Sequence, residues 1–325
     1  MNAIERWEAG GTALIDVRLA AIRYAARDIH LLELEAVSGG RLPPAEPGAH
    51  IELHLPKGLV RHYSLLEPDP QPARYVIGIK RDAGGRGGSV YIHDHLKVGM
   101  TLQVSAPRNN FRLVEDAPHA VLIAGGIGIT PLVSMARRLE SAGRPWNLFY
   151  ACRSRADAAF HAELGQRENV AFHFDDERPG EYPDIAAVIG RAPEGAHFYC
   201  CGPAPMLAAF ERTAATMLPP SHIHIEYFNP VQEAATEGGF VVELARRKRE
   251  FLIPPGSSIL QTLLDAGLNV PYSCTEGMCG ACEVRVLSGT PDHRDSVLTK
   301  DQQAEGKRMM ICCSGSKSGK LVIDL

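Results

Sequence analysis

Short apolar runs broken by Gly and Pro dominate the first third of the chain. Ile29-His30-Leu31-Leu32-Glu33-Leu34, Ile51-Glu52-Leu53-His54-Leu55 and Tyr75-Val76-Ile77-Gly78-Ile79 nearly alternate between apolar and polar positions. No helical period of comparable length competes, so an antiparallel barrel or sandwich is predicted from Ala13 to about Arg112. The pattern then changes. Residues 119–124 form a continuous apolar run, followed by Gly125-Gly126-Ile127-Gly128-Ile129-Thr130-Pro131 and by apolar positions at helical spacing over 132–139. Thr130 suits an N-cap and Pro131 a first helical residue. Further apolar runs at 146–151, 170–174 and 197–200 are separated by helical patterns, which predicts a parallel sheet. Residues 229–239 are polar, marked by Gly and Pro and without period, as a linker would be. Beyond them, 240–244 and 251–253 read as a hairpin with Arg246-Arg247-Lys248-Arg249 at its tip. A helix over 259–266 ends at Gly267, and 321–325 reads as a closing strand.

Composition narrows the class. The chain has 325 residues, room for two or three domains, and a formal net charge of −4. That balance gives neither a nucleic-acid footprint nor a polybasic membrane patch. No apolar run reaches the ~18–20 residues needed to cross a bilayer. The start, Met1-Asn2-Ala3-Ile4-Glu5-Arg6, lacks the regions of a signal peptide, so a soluble, cytoplasmic protein is expected.

The cysteines carry the sharpest signal. Pro271-Tyr272-Ser273-Cys274-Thr275-Glu276-Gly277-Met278-Cys279-Gly280-Ala281-Cys282, answered by Cys312, spells C-x4-C-x2-C…C, the plant-type ligand spacing of a [2Fe–2S] cluster. Gly277 and Gly280 suit a loop that wraps a cluster closely. A structural zinc site would favour two separated C-x2-C pairs, and this chain has one. Cys152, Cys200, Cys201 and Cys313 are then read as free thiols.

Other stretches are weaker alone. Arg61-His62-Tyr63-Ser64 offers a cation, a flat ring and a hydroxyl, as a phosphorylated aromatic cofactor needs, yet an ordinary strand reads the same. Lys80-Arg81-Asp82-Ala83-Gly84-Gly85-Arg86-Gly87-Gly88-Ser89 could turn backbone N–H groups toward an anion, or be a flexible hairpin tip. The short helix predicted over 91–96 would add its N-terminus to that anion site. Strand, glycine turn and helix around Gly125, Gly126 and Gly128 form a phosphate-binding arrangement without the usual G-x-G-x-x-G. Three strand ends carry notable residues: Arg153-Ser154-Arg155, Asp175-Asp176, and Cys201-Gly202-Pro203 with Met206. Asp175 suits ribose hydroxyls and argues for NADH, whereas Arg153 and Arg155 argue for a 2′-phosphate.

Taken together, these motifs resemble the phthalate dioxygenase reductase family, which includes vanillate demethylase oxidoreductases, over nearly the whole chain. The resemblance implies a multidomain protein: an FMN-binding antiparallel β-barrel (1–113), an α/β parallel-sheet NAD-binding domain (114–229), a linker (230–238) and an α+β β-grasp ferredoxin (239–325). It implies FMN contacts at Arg61, Tyr63, Ser64, Gly88 and Ser89, with His62, Ile79, Lys80 and Gly87 beside them. Gly125, Gly126, Gly128, Thr130, Arg153, Asp175, Cys201, Gly202 and Pro203 then form the NADH site. Thr130, Cys201 and Phe228 of Glu226-Tyr227-Phe228 take the catalytic places around flavin and nicotinamide. Cys274, Cys279, Cys282 and Cys312 become the cluster ligands, with Cys313 the fallback for the fourth. One departure is Gly315, where the family often carries Arg, which puts local packing or partner contact in question. The implied activity is electron transfer from NADH through FMN and the cluster to a Rieske-type oxygenase. A reductase for a cytochrome P450 or diiron oxygenase, or a carrier with inactive flavin and nucleotide sites, are the alternatives.

Overall fold

This computed structural model describes residues 14–325; the stretch from Met1 to Arg6 and Ala13, read above from sequence, lie outside them. The alternating N-terminal runs become β1 (Ile15–Ala26), β2 (Ile29–Ala36), β3 (His50–Leu55), β4 (Leu59–Ser64) and β5 (Arg74–Lys80). Helix α1 (Gly88–His95) and β6 (Thr101–Val104) follow. The strands are ordered β4-β3-β6-β1-β2-β5. Leu65 bridges Ile77 and the Leu66 N–H donates to the Val76 carbonyl at 2.9 Å, which brings the end of β4 against β5 and curls the sheet into a barrel. Val17, Leu19, Leu34, Ile51, Leu53, Ile77 and Ile79 point inward and are fully buried.

Strand β3 breaks the alternation, because His50 and Glu52 on its outer face are buried as well. A strap covers them. The Arg108 N–H donates to the His50 carbonyl at 2.9 Å, and Arg108 Nη1 pairs with Glu52 Oε1 at 2.5 Å. The Glu52 N–H donates to Ser105 Oγ at 3.0 Å.

The middle of the chain runs β7 (Ala120–Gly125), α2 (Ile129–Ser141), β8 (Trp146–Cys152), α3 (His161–Leu164), β9 (Val170–Phe174) and α4 (Ile185–Gly190). It closes with β10 (His197–Cys201), α5 (Ala204–Met217) and β11 (Ile223–Glu226). The sheet is parallel, ordered β11-β10-β7-β8-β9. Central β7 is buried at every position, as a strand covered on both faces must be. Thr130 is not the N-cap. The helix starts at Ile129 after a 3₁₀ turn over Gly126–Gly128, and the Thr130 hydroxyl donates back to the Ile127 carbonyl at 3.0 Å.

The described residues form two compact units, one ending at Glu226 and the other beginning at Tyr227. Barrel and parallel sheet share the first. Arg137 on α2 donates to the Leu66 carbonyl at 3.1 Å, and the Arg27 N–H donates to the Ala156 carbonyl at 2.8 Å.

The second unit holds β12 (Phe240–Leu244), β13 (Arg249–Ile253), α6 (Ile259–Asp265), β14 (Glu283–Ser288), β15 (Pro291–Asp292) and α7 (Lys300–Glu305). Then come β16 (Arg308–Met310), β17 (Gly315–Ser316) and β18 (Lys320–Ile323). Its main sheet, β13-β12-β18-β14-β16, pairs β12 with β18 in parallel and the rest antiparallel. Leu260 and Leu263 of α6 pack into its core, the β-grasp arrangement. Two local readings change. Arg249 belongs to β13, so the basic tip shortens to Arg246, Arg247 and Lys248, and Arg246 is held by Asp324 at 2.6 and 2.8 Å. The end of the linker is packed in: Ala235 is buried and its N–H donates to the Cys313 carbonyl at 2.7 Å.

Candidate functional site

On the barrel, Arg61 lies across the glycine loop. A Cβ at Gly88 would come within 2.5 Å of Arg61 Nε, so only glycine lets the side chain pass. Arg61 Nη2 donates to the Arg86 carbonyl and Nη1 to the Val60 carbonyl, both at 2.8 Å. Gly87 immediately precedes α1, whose first N–H groups have no partner in the helix. A fixed cation beside a helix start is the donor set an organic phosphate requires. Tyr63 shares the Arg61 face of β4, and burial pushes its phenol up despite the nearby Arg61 cation. The Ser89 hydroxyl accepts from the Asp82 N–H at 3.0 Å.

Two of the residues expected here, His62 and Ser64, turn to the other face of β4. The His62 ring lies 5.4 Å from that of His50. Ser64 is buried opposite His50 in the β3–β4 ladder. The Ile79 side chain is in the barrel core, and its carbonyl accepts from His93 Nε2 at 3.0 Å. Lys80 is exposed at the end of β5.

In the parallel sheet, the loops after β7 and β10 touch backbone to backbone. A Cβ on Gly128 would stand 2.2 Å from the Cys201 carbonyl oxygen, and one on Gly125 would stand 2.5 Å from Pro203 Cδ. The Gly126 carbonyl accepts from the Tyr150 hydroxyl at 3.1 Å. Thr130 faces the barrel, since a Cβ on Gly78 of β5 would meet Thr130 Cγ2 at 2.8 Å. The nucleotide loop, Cys201-Gly202-Pro203 and the barrel wall therefore converge. At the ends of β8 and β9, the Asp175 N–H donates to the Cys152 carbonyl and the Asp176 N–H to the Arg153 carbonyl, each at 3.0 Å. Arg153 is exposed, and Phe228 lies in the second unit.

Sequence reasoning did not single out Glu226 as a site residue. It is the ladder partner of Cys201 in β10–β11. The residue keeps some exposure, but its Oε2 is enclosed and has no hydrogen-bond partner among the described residues. The environment of that oxygen decides its charge: burial pushes the carboxyl up to about 8. Burial, then the Glu226 charge and Cys200, hold the Cys201 thiol protonated. The position of Glu226 at the end of the strand beside β10 was the available signal. A carboxyl raised from 4.5 to about 8 binds its proton in the folded state while the unfolded chain releases it. The Glu226 contribution to stability is then greatest below pH 4.5, falls as pH rises toward about 8 and flattens beyond. Unfolding free energies across that range should show this slope in the wild type and a shallower one in Glu226→Gln; equal slopes would mean that Glu226 titrates normally.

In the second unit, Cys274, Cys279 and Cys282 come from one loop. Gly277 has φ +70°, and a Cβ there would meet Cys313 Sγ at 2.5 Å. Backbone donors point at sulfur: the Glu276 and Met278 N–H groups to Cys274 Sγ at 3.3 and 3.4 Å, and the Cys274 N–H to Cys279 Sγ at 3.4 Å. Contacts with Cys279 and Cys312, then the Met278 N–H, hold Cys274 as thiolate, far below the usual thiol range. Four sulfurs converging under such donors fit an iron–sulfur cluster. The Cys312 sulfur meets those of Cys274 and Cys282 as well as that of Cys313, whereas Cys274 and Cys282 make no such contact with Cys313. Cys313 points its thiol at the Met310 carbonyl, 3.9 Å away, which supports Cys312 as the fourth ligand. Gly315 is explained by packing: it pairs with Asp292, and a Cβ would meet Ala235 Cβ at 2.8 Å.

A cofactor barrel, a nucleotide-binding parallel sheet and a plant-type ferredoxin in one chain define a multidomain iron–sulfur oxidoreductase. Residues 122–175 match the oxidoreductase NAD-binding domain and residues 242–316 the 2Fe-2S iron-sulfur cluster binding domain. Phenoxybenzoate dioxygenase subunit beta of Ectopseudomonas oleovorans is 51% identical over 96% of this chain and 98% of its own. The structure of phthalate dioxygenase reductase, described as modular for electron transfer from pyridine nucleotides to [2Fe-2S], is 39% identical, with a TM-score of 0.71 over 96% of this chain and 98% of that one. An intact type IV self-sufficient cytochrome P450 monooxygenase is 37% identical with a TM-score of 0.87; the match covers 96% of this chain but 41% of that longer one. The chain belongs to the phthalate dioxygenase reductase family.

Proposed function

We propose that this protein is the reductase component of a Rieske-type aromatic-ring or O-demethylating oxygenase system, using FMN between NADH and its [2Fe–2S] cluster. The observation that carries the reading is the convergence of Gly128, Cys201 and Thr130 beside the barrel strand that bears Gly78. It brings the nucleotide loop against the barrel wall, where a nicotinamide can reach a barrel-bound ring. A bound flavin supplies the exchange between two-electron hydride chemistry and single electrons that nicotinamide lacks. Arg61, Gly88 and the start of α1 would hold the flavin phosphate, with Tyr63 beside them. Thr130 and Cys201 would position the nicotinamide. In this reading residues 1–113 serve the flavin, 114–229 the nucleotide and 239–325 the cluster, with 230–238 as the connection. Plant-type clusters lie near about −400 mV and Rieske centres between about −150 and +300 mV, so the last transfer runs downhill.

A second acceptor class has its own support in the likeness to the self-sufficient P450, where the proposed acceptor would be a haem. No helix among the described residues is long and apolar enough to cross a membrane. The test begins with the absorbance spectrum of the purified protein and its bleaching by NADH, followed by heat release of the flavin and chromatography against standards. Bleaching and released FMN are expected, and FAD or no bleaching would overturn the reading. Electron delivery to a purified Rieske oxygenase should outpace delivery to a P450; the reverse order would favour the haem acceptor.

A further inference from the structure

We infer that Glu177 enforces preference for NADH over NADPH by holding Arg155 away from the ribose 2′ position, an inference that rests on the nucleotide site read above. The ends of β8 and β9 lie side by side in the parallel ladder. They carry Arg153 and Arg155 on one and Asp175, Asp176 and Glu177 on the other. Ligands of open α/β sheets bind beyond such strand ends, where an Asp or Glu takes the 2′-hydroxyl of NAD and an Arg accommodates the 2′-phosphate of NADP. Both residue types are present, so the outcome depends on how they are already engaged.

Arg155 is committed on every side. Its Nε donates to Glu177 Oε1 at 2.5 Å and its Nη2 to Glu177 Oε2 at 3.1 Å. Its Nη1 stands 3.4 Å from His161 Nε2. Its guanidinium carbon lies 4.7 Å from the centroid of the Phe174 ring. A planar two-point pair seated on an aromatic face is better ordered than a typical surface ion pair. Both partners are substantially exposed, with side chains 60% and 45% accessible, so the pair contributes little to stability. Its effect is on direction and charge.

A phosphate arriving at Arg155 must displace Glu177. The released carboxylate stays in sequence beside Asp175, which leans toward His173 at 3.5 Å, and Asp176, so the phosphate arrives at a strand end rich in negative charge. A 2′-hydroxyl meets no such opposition and can donate to Asp175. Arg153 makes no ion pair among the described residues, and its carbonyl accepts from the Asp176 N–H at 3.0 Å, which keeps that acidic residue beside it.

The test uses the holoenzyme with a dye acceptor, in Glu177→Gln, Glu177→Asp and Glu177→Gln combined with Arg155→Ala. Glu177→Gln should raise kcat/KM for NADPH about tenfold, the scale of one charge-assisted hydrogen bond, through KM rather than kcat, with NADH nearly unchanged. Adenosine 2′,5′-bisphosphate should bind this variant tighter by the same factor in calorimetry, while AMP should not. Glu177→Asp should keep the wild-type ratio, and removing Arg155 from the Gln variant should restore it. An unchanged NADPH:NADH ratio in Glu177→Gln, a gain that survives loss of Arg155, or a wild type that already prefers NADPH would each overturn the inference. Failure of both nucleotides to reduce the wild type would instead refute the nucleotide-site reading itself.

Discussion

Cys279→Ser should abolish NADH-driven reduction of cytochrome c while leaving NADH-to-dye reduction nearly intact. Cys279 is buried, and its sulfur accepts from the Cys274 N–H. Serine has similar size, but its hydroxyl is not a thiolate at neutral pH, and the thiolate is the ligand form. Losing an outer-shell partner costs about 10–100-fold in metal affinity, so losing a direct ligand should cost more. The visible bands of the cluster and its iron content should fall together. Because the ligands lie in the second unit and the nucleotide loop in the first, the flavin pathway should survive. Equal loss of dye and cytochrome reduction would show that the two units do not function separately.

Gly128→Ala should be the most damaging single methyl group in the nucleotide site. The backbone of Gly128 is unstrained, with φ −61°, so conformational preference is not the obstacle. Space is: the added carbon would stand 2.2 Å from the Cys201 oxygen, 2.4 Å from its carbonyl carbon and 2.7 Å from the Gly202 nitrogen. All three are main-chain atoms that cannot swing aside, so the two loops must part by about an ångström, and misplacement on that scale can cost about 10²-fold in rate. Gly126→Ala is the control. Gly126 has φ +53° with nothing within 4 Å of a Cβ, so alanine there should cost about 1–2 kcal/mol of backbone strain without forcing the two loops apart. Stopped-flow reduction of the flavin by NADH measures both variants. A Gly128→Ala protein that reduces at the wild-type rate would mean that the loop contact does not position the nucleotide.

Much of the architecture was legible because it is written between near neighbours in the chain. Period-two alternation produced the barrel strands, a continuous apolar run produced β7, and C-x4-C-x2-C set three thiols within one loop of nine residues. Even locally there were limits. Thr130 looked like a cap, yet the 3₁₀ turn over Gly126–Gly128 moved the helix start to Ile129. His62 sat in a promising tetrapeptide, but adjacent residues of a strand face opposite ways, and its ring went to His50.

What remained lay between segments far apart in sequence. Cys312 and Cys313 are indistinguishable by spacing, and their orientation separates them only once Cys274 and Cys282 are folded alongside. The register of β10 with β11 placed the Glu226 carboxyl beside Cys201, and the packing of Ala235 left no room for a side chain at Gly315. The engagement of Arg155 with Glu177, 22 positions away, likewise depends on two parallel strands ending together. The sequence by itself determined the elements, the three-part order of the chain and the cluster loop, because these follow from patterns within a few residues. Only the tertiary structure decided which strand ends meet, which carboxylate is buried and which arginine is engaged, because those depend on packing between distant segments that no local pattern encodes.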